Sequence, residues 1–192
     1  MRDVSIAILA GGKSRRMGQN KSFVLLDGKP MIEHVLDQLR LLELPIFIVT
    51  NTPEAYVHYG LPLYRDILPD HGALGGIYTA LQSSVTPYVL CAACDMPFLN
   101  NALLDFMLRQ RAGYEAVVAL MEGKWQVFPG VYSRASLDTF EDFLNRREFH
   151  LQTVLNTLRT RPLTLGEIRA HDPHLRSFIN LNTPLELAQY AE

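Results

Sequence analysis

Short apolar segments alternate with amphipathic segments along the whole chain, and their spacing predicts strands followed by helices. Continuous apolar runs predict strands at residues 4–10, 46–50, 63–66, 88–93, 116–121, 127–132 and 178–181. Apolar positions with helical spacing predict helices at residues 31–42, 74–83, 103–111, 134–147 and 184–191, and a short one at 53–59. Thr183 is the expected N-cap of the last helix, because it directly precedes Pro184.

The predicted strands are apolar along their whole length and show no alternation with polar residues. Such strands are typical of a parallel sheet that is covered by helices on both faces. The sequence therefore predicts an α/β fold with a single doubly wound, mostly parallel Rossmann-like sheet. We expect one domain over residues 1–192, with an irregular excursion at residues 166–177.

Composition and charge narrow the classes of function. The 192 residues are 48% apolar and 20% charged, with a formal net charge of −2, which indicates a globular protein and does not favour nucleic acid as a partner. No signal peptide is visible, and no apolar run approaches the roughly 18 residues of a membrane-spanning helix. We therefore expect a cytoplasmic protein that does not contact a membrane.

The two cysteines, Cys91 and Cys94, form a C-x-x-C pair in VLCAACD. A redox pair or half of a zinc site is one interpretation, but the sequence has no second cysteine pair to complete a zinc site. Within a strand the two side chains would point to opposite faces of the sheet. We therefore expect buried, reduced thiols.

A segment rich in glycine and basic residues follows the first strand, in the order ILAGGKSRRMGQNK. Ligands of doubly wound sheets bind beyond the carboxyl ends of the strands, and Gly11 and Gly12 would let the backbone approach an anion closely there. Arg15, Arg16 and Lys21 would add positive charge, which suits a polyphosphate. The alternative is a tight turn followed by a solvated basic loop. Neither the P-loop pattern nor G-x-G-x-x-G is present.

The segment LAGGKSRRMGQNK resembles the signature loop of nucleotidyltransferases with a GT-A-like Rossmann fold. Within that superfamily the chain resembles the molybdenum cofactor guanylyltransferases. Further matching blocks follow in order over almost the whole chain: LLDGKPMIEHVL, VTN, RDILPDHGALGGIYTAL, CDMPFL and NLNTP. The resemblance implies a Mg²⁺-dependent transfer of GMP from GTP to the terminal phosphate of molybdopterin (the molybdenum cofactor), with release of pyrophosphate. It also implies transient contacts with cofactor-synthesis proteins or apo-molybdoenzymes.

The resemblance further implies a set of site residues. The implied catalytic residues are Arg15, Lys21 and Asp95, with Asp95 as the Mg²⁺ ligand. The implied nucleotide-binding residues are Leu9, Ala10, Gly11, Gly12, Arg16, Lys21, Asn51, Asp66, Gly72 and Asp95. Asn180 and Asn182 are implied on the acceptor side, and the two arginines on the side of the leaving pyrophosphate.

Several of these residues have simpler alternative roles. Asn51 could cap the short helix that follows it, and Asp66 could cap a turn. Asn182 could only brace the turn in NLNTP. Asp95 could cap the next helix, although Asn100 stands closer to the start of that helix.

Two positions depart from the family pattern. Asn20 stands where the loop often carries Asp before the lysine, and Pro129 lies within a late strand that often reads P-x-F-x-x-Y and borders the acceptor region. Alternative functions are a CTP-dependent molybdenum cofactor cytidylyltransferase, a sugar-phosphate nucleotidyltransferase and a non-catalytic nucleotide-binding protein that delivers the cofactor. The blocks LAGG, GALGGI and NLNTP favour guanylyl transfer, and intact Lys21 and Asp95 favour catalysis.

Overall fold

The computed structural model describes residues 3–11, 20–69 and 71–190. The strands are β1 (Val4–Leu9), β2 (Leu25–Leu26), β3 (Lys29–Pro30), β4 (Ile46–Thr50), β5 (Leu63–Arg65), β6 (Tyr88–Ala93), β7 (Ala116–Met121), β8 (Lys124–Ser133) and β9 (Thr160–Leu163). The helices are α1 (Met31–Arg40), α2 (Gly72–Ser83), α3 (Asn101–Arg109), α4 (Leu137–Asn145), α5 (Leu151–Thr157), α6 (Leu165–His171) and α7 (Pro184–Tyr190).

The main sheet has seven strands in the order β5-β4-β1-β6-β8-β7-β9. Strands β5, β4, β1 and β6 are parallel to one another, β9 is parallel to β7, and β8 is antiparallel to both its neighbours. This confirms the predicted α/β fold with a mostly parallel sheet. The chain first adds strands on one side of β1 and then crosses to β6 on the other side. Open α/β sheets bind ligands at such a switch point, beyond the carboxyl ends of the strands.

Apolar side chains fill both faces of the sheet. On β1, Ile6 and Ile8 face one buried cluster, and Ala7 faces the other. Cys94 belongs to the first cluster and Cys91 to the second, so the expectation of free, buried thiols on opposite faces is confirmed. Burial raises the pKa of Cys91 strongly and that of Cys94 to about 12, which keeps both thiols neutral.

Two predicted segments differ from the structure. The stretch predicted as irregular, 166–177, contains most of α6, which begins with a capping box between Thr164 and Glu167. The strand predicted at 178–181 is not formed, because a 3-10 turn ends at Phe178 and Leu181 instead packs under the β2–β3 hairpin. The apolar character of that segment therefore reflects burial in a small side cluster and not pairing in the sheet.

Some shorter elements also differ from the prediction, whereas the N-cap of α7 agrees with it. Helix α5 and strand β9 were not predicted, and the short helix at 53–59 is two consecutive 3-10 turns. Thr183 accepts a hydrogen bond from the backbone N–H of Glu186 at 3.2 Å, as expected for the N-cap of α7. Within the described ranges, no helix is both long enough and apolar enough to cross a membrane.

Candidate active site

A cleft of about 410 Å³ lies beyond the carboxyl ends of β1, β4 and β6. Its described lining residues are Leu9, Ala10, Gly11, Asn20, Lys21, Val49, Asn51, Asp66, Gly72, Ala73, Gly76, Ala93, Cys94, Asp95 and Phe128. Every predicted nucleotide-binding residue that the structure describes is in this set. Gly12, Arg15 and Arg16 lie outside the described residues.

The end of β1 is fixed by bonds from its neighbours. The side chain of Asn51 donates to the carbonyl oxygen of Gly11 at 3.2 Å. The hydroxyl of Thr50 donates to the carbonyl oxygen of Ala10 at 3.1 Å. Asn51 does not cap the following 3-10 turn, whose N-cap position is occupied by Thr52. The amide of Asn51 therefore stabilises the backbone of residues 9–11, which lines one wall of the cleft.

Asp66 has a structural role and also faces the cleft. Its Oδ1 accepts from the backbone N–H of Leu68 at 3.0 Å and from the hydroxyl of Thr79 at 2.9 Å. The alternative that Asp66 caps a turn is thus correct for this oxygen. The other oxygen, Oδ2, lies 3.8 Å from the place that a β-carbon on Gly11 would occupy. One carboxylate oxygen is therefore committed to the turn, while the other points toward the end of β1.

Helix α2 begins at the cleft and packs closely against β1 and against the loop that follows β5. Gly72, its first residue, has a φ of +58°, which favours glycine. A β-carbon at Gly75 would stand only 2.6 Å from the carbonyl oxygen of Leu68, and one at Gly76 only 3.1 Å from Leu9. These glycines let the helix N-terminus, with its partial positive charge, approach the site where an anion would bind.

Lys21 and Asp95 meet at the carboxyl end of the central strand. The Nζ of Lys21 donates to Oδ2 of Asp95 at 3.1 Å and also to the side-chain oxygen of Asn182. Both partners of the ion pair are mostly buried, with side chains 20% and 16% exposed. Asn100 caps α3 by accepting from two of its backbone N–H groups, so Asp95 is not that cap. Asp95 is therefore a mostly buried carboxylate at the edge of the sheet where ligands bind.

The NLNTP segment lies against this ion pair. The backbone N–H of Leu181 donates to the carbonyl oxygen of Asp95 at 3.0 Å, which holds the segment under the end of β6. Asn182 contacts Lys21 and also donates to the carbonyl oxygen of Asn180 at 3.3 Å, so it does more than brace its own turn. Asn180 is exposed, and neither Asn180 nor Asn182 is among the described residues that line the cleft. The roles of both on the acceptor side stay predictions.

A bulge in β8 brings Phe128 to the cleft. Residue Val118 of β7 pairs with Gly130, but the next residue pairs with Gln126, so residues 127–129 are extra on β8. Pro129 lies in this bulge, where the missing N–H of proline is tolerated. Pro129 is the departure from the family pattern described above, whereas no pattern in the sequence points to Phe128, because neither alternation nor a helical period marks a residue in a bulge.

Taken together, the sheet order and the cleft define an α/β protein with a charged cleft at the switch point of its sheet. The family model described as the MobA-like NTP transferase domain matches residues 6–161 of this chain. The chain therefore belongs to the MobA-like NTP transferase family, and nucleotidyl transfer is its class of activity.

Named relatives cover nearly the whole chain. The molybdenum cofactor guanylyltransferase of Desulfosudis oleivorans is 37% identical, over 94% of this chain and 90% of the relative. The probable molybdenum cofactor guanylyltransferase of Carboxydothermus hydrogenoformans is 32% identical, over 97% and 94%. The crystal structure of molybdopterin-guanine dinucleotide biosynthesis protein A from Archaeoglobus fulgidus superposes with a TM-score of 0.85 at 26% identity, over 97% of this chain and 96% of that chain.

Proposed function

We propose that this chain transfers GMP from GTP to the terminal phosphate of molybdopterin, as a single domain over residues 1–192. The observation that carries the proposal is the meeting of Lys21 and Asp95, 3.1 Å apart, in a cleft at the switch point of the sheet. The names of the relatives and of the similar structure support GTP as donor and molybdopterin as acceptor. Transient contacts with apo-molybdoenzymes or cofactor-synthesis proteins in the cytoplasm would then pass the product on.

The reaction brings two anions together. An oxygen of the acceptor phosphate forms a bond to the α-phosphorus of GTP, and the bond from that phosphorus to the bridging oxygen breaks, which releases pyrophosphate. The acceptor phosphate is already ionised near neutral pH, so the protein needs no strong general base. Its task is to neutralise charge and hold the in-line geometry. Lys21 would bind the donor phosphates, with Arg15 and Arg16 on the pyrophosphate side.

The remaining predicted residues would hold the nucleoside. The backbone of Leu9, Ala10 and Gly11 lines one wall of the cleft, and Asn51 and Asp66 stand beside it. Polar groups of the protein that hydrogen-bond one base are left buried and unpaired when a different base takes its place. This is the physical basis on which we expect the site to select its nucleotide.

The donor atoms in the cleft fit Mg²⁺. No group of three His, Cys, Asp or Glu residues is found within the described ranges, so no all-protein metal cage is present there. Mg²⁺ is usually held by one or two carboxylates together with substrate phosphates and water. The carboxylate of Asp95, which lines the cleft, is such a hard oxygen donor. The amide oxygen of Asn182 is a second one beside Lys21, although Asn182 is not among the described residues that line the cleft. When bound, the ion would neutralise charge on the phosphate oxygens and polarise them.

We expect the enzyme to prefer GTP over CTP and ATP. The preference can reach about 10⁴-fold where the base edge is buried and hydrogen-bonded, and is smaller where the base is exposed. The measurement is the rate of pyrophosphate release with each nucleotide, Mg²⁺ and molybdopterin, with sugar phosphates tested as alternative acceptors. Equal turnover with CTP would assign the chain to the cytidylyl alternative. GTP binding without any pyrophosphate release would favour a delivery protein.

We also expect Phe128→Ala to weaken acceptor binding selectively. Phe128 is a half-buried aromatic ring that lines the cleft. It belongs to β8, which lies on the opposite side of β6 from β1 and β4. Aromatic stacking on such a ring contributes about 0.5–1.5 kcal/mol. The KM for molybdopterin should rise about threefold to tenfold, with the KM for GTP unchanged. Phe106→Ala is the matched control, because Phe106 stacks on His171 between α3 and α6. A rise in the KM for GTP instead would place the ring on the nucleotide.

A further inference from the structure

The hydroxyl of Tyr56 joins two parts of the chain that the basic loop separates. Tyr56 is fully buried in the 3-10 turns after β4. Its hydroxyl donates to Oγ of Ser22 at 2.7 Å and accepts from the side-chain N–H of Asn20 at 3.0 Å. It also lies 3.5 Å from the carbonyl oxygen of Ala10, at the end of β1. One side chain thus touches the residues on both sides of Lys21 and the strand that precedes the loop.

The hydrogen-bond count at this hydroxyl explains the asparagine at position 20. A tyrosine hydroxyl has one proton to donate, and the short contact to Ser22 uses it. Asn20 can therefore serve the hydroxyl as a donor, while its own Oδ1 accepts from the backbone N–H of Ser22 at 3.1 Å and caps the Lys21–Phe23 turn. The Tyr56 hydroxyl also lies 3.3 Å from Oδ1 of Asn20, but it could donate to an aspartate there only by giving up its shorter bond to Ser22.

Ser22 also lies near the strand end that carries Asp95. Its hydroxyl lowers the pKa of the Cys94 thiol, against the larger rise caused by burial. Cys94 directly precedes Asp95, the partner of Lys21. Burial likewise raises the pKa of Tyr56, so its hydroxyl stays protonated and able to donate at neutral pH. The ring centroids of Tyr56 and Phe23 lie 5.0 Å apart, so the ring of Tyr56 also contacts the last residue of the Lys21–Phe23 turn.

We propose that Tyr56 is a positioning residue: its buried hydroxyl locks the Lys21 turn to the 3-10 turns that follow β4, beside the end of β1, so that the Lys21 ammonium meets the phosphates at a fixed place. Tyr56 touches no substrate and acts through Lys21. The kinetic part of this inference rests on the proposed function, whereas the locking of the turn does not.

The first test measures the turn itself. Tyr56→Phe keeps the ring and removes only the hydroxyl. The matched control is Thr86→Val, because the Thr86 hydroxyl is also buried and bonds Ser5, Ser84 and Tyr88 at the opposite end of the sheet. Amide hydrogen exchange in a peptide covering residues 20–24 should be about tenfold faster in Tyr56→Phe, and unchanged in Thr86→Val. Equal exchange in both variants would overturn the inference whatever the enzyme's substrate.

The second test asks whether the effect passes through Lys21. In the full-length protein, kcat/KM for GTP should fall about tenfold in Tyr56→Phe and less than twofold in Thr86→Val. In a Lys21→Ala background, adding Tyr56→Phe should change kcat/KM by less than twofold, because residues that act as one unit are not additive. A full tenfold loss in both backgrounds would overturn the inference. Wild-type protein that released no pyrophosphate would sink the proposed function instead, and the exchange measurement would still decide the role of Tyr56.

Discussion

Asp95→Asn is expected to lower the rate of pyrophosphate release by at least about 10², which corresponds to roughly 2.7 kcal/mol of transition-state stabilisation. The substitution preserves the shape of the side chain and removes its charge. Asp95 is mostly buried at the end of a central strand, where its carboxylate faces the cleft and the Lys21 ammonium. A neutral amide there can still accept a hydrogen bond but is a much weaker ligand for a hard divalent ion.

The matched control for Asp95 is Asp105→Asn. Asp105 also pairs with a cation, Arg109, but on the outer surface of α3, so this variant removes an ion pair without touching the cleft. Thermal melting of both variants checks that the fold is intact. The rates are measured against Mg²⁺ and Mn²⁺ concentration, and excess metal should recover part of the loss in Asp95→Asn. A near-normal rate with normal metal dependence would mean that the metal is held elsewhere.

Sequence patterns predicted the central part of this site because the carboxyl ends of the strands determine where its residues lie. Strands β1, β4 and β6 are continuous apolar runs, and a parallel sheet brings their carboxyl ends to one edge. The residues after those runs, such as Gly11, Asn51 and Asp95, must then be neighbours. The structure does bring them to one cleft. Their roles toward substrate remain predictions.

Local patterns failed where tertiary packing determines the conformation. Strand β9 has only four residues and includes a proline, so it has no clear period and is held by pairing with β7. The segment at 178–181 is as apolar as a strand but packs in a side cluster. Tyr56 lies in a short irregular segment, and only the folded chain shows that its hydroxyl reaches Asn20 and Ser22, more than 30 positions away.

Lys21→Ala should weaken nucleotide binding and turnover by roughly 1.5–3 kcal/mol, the range of a hydrogen bond to a charged group. The side chain of Lys21 lines the cleft and is only 20% exposed, and its ammonium bonds Asp95 and Asn182, so a phosphate bound there would be poorly screened by water. Lys21→Arg should restore only part of the loss, because a planar fork replaces a compact charge between Asp95 and Asn182.

The control for Lys21 is Lys29→Ala, which removes another paired lysine. Lys29 bonds Asp37 on the exposed side of the β2–β3 hairpin and does not line the cleft. GTP affinity by calorimetry and the rate of pyrophosphate release are both measured, because a residue that binds phosphates in the ground state raises the dissociation constant, whereas one that acts only in the transition state lowers kcat. If Lys21→Ala left both quantities as in Lys29→Ala, Lys21 would have no role toward the nucleotide, and the phosphates would have to be bound by other groups.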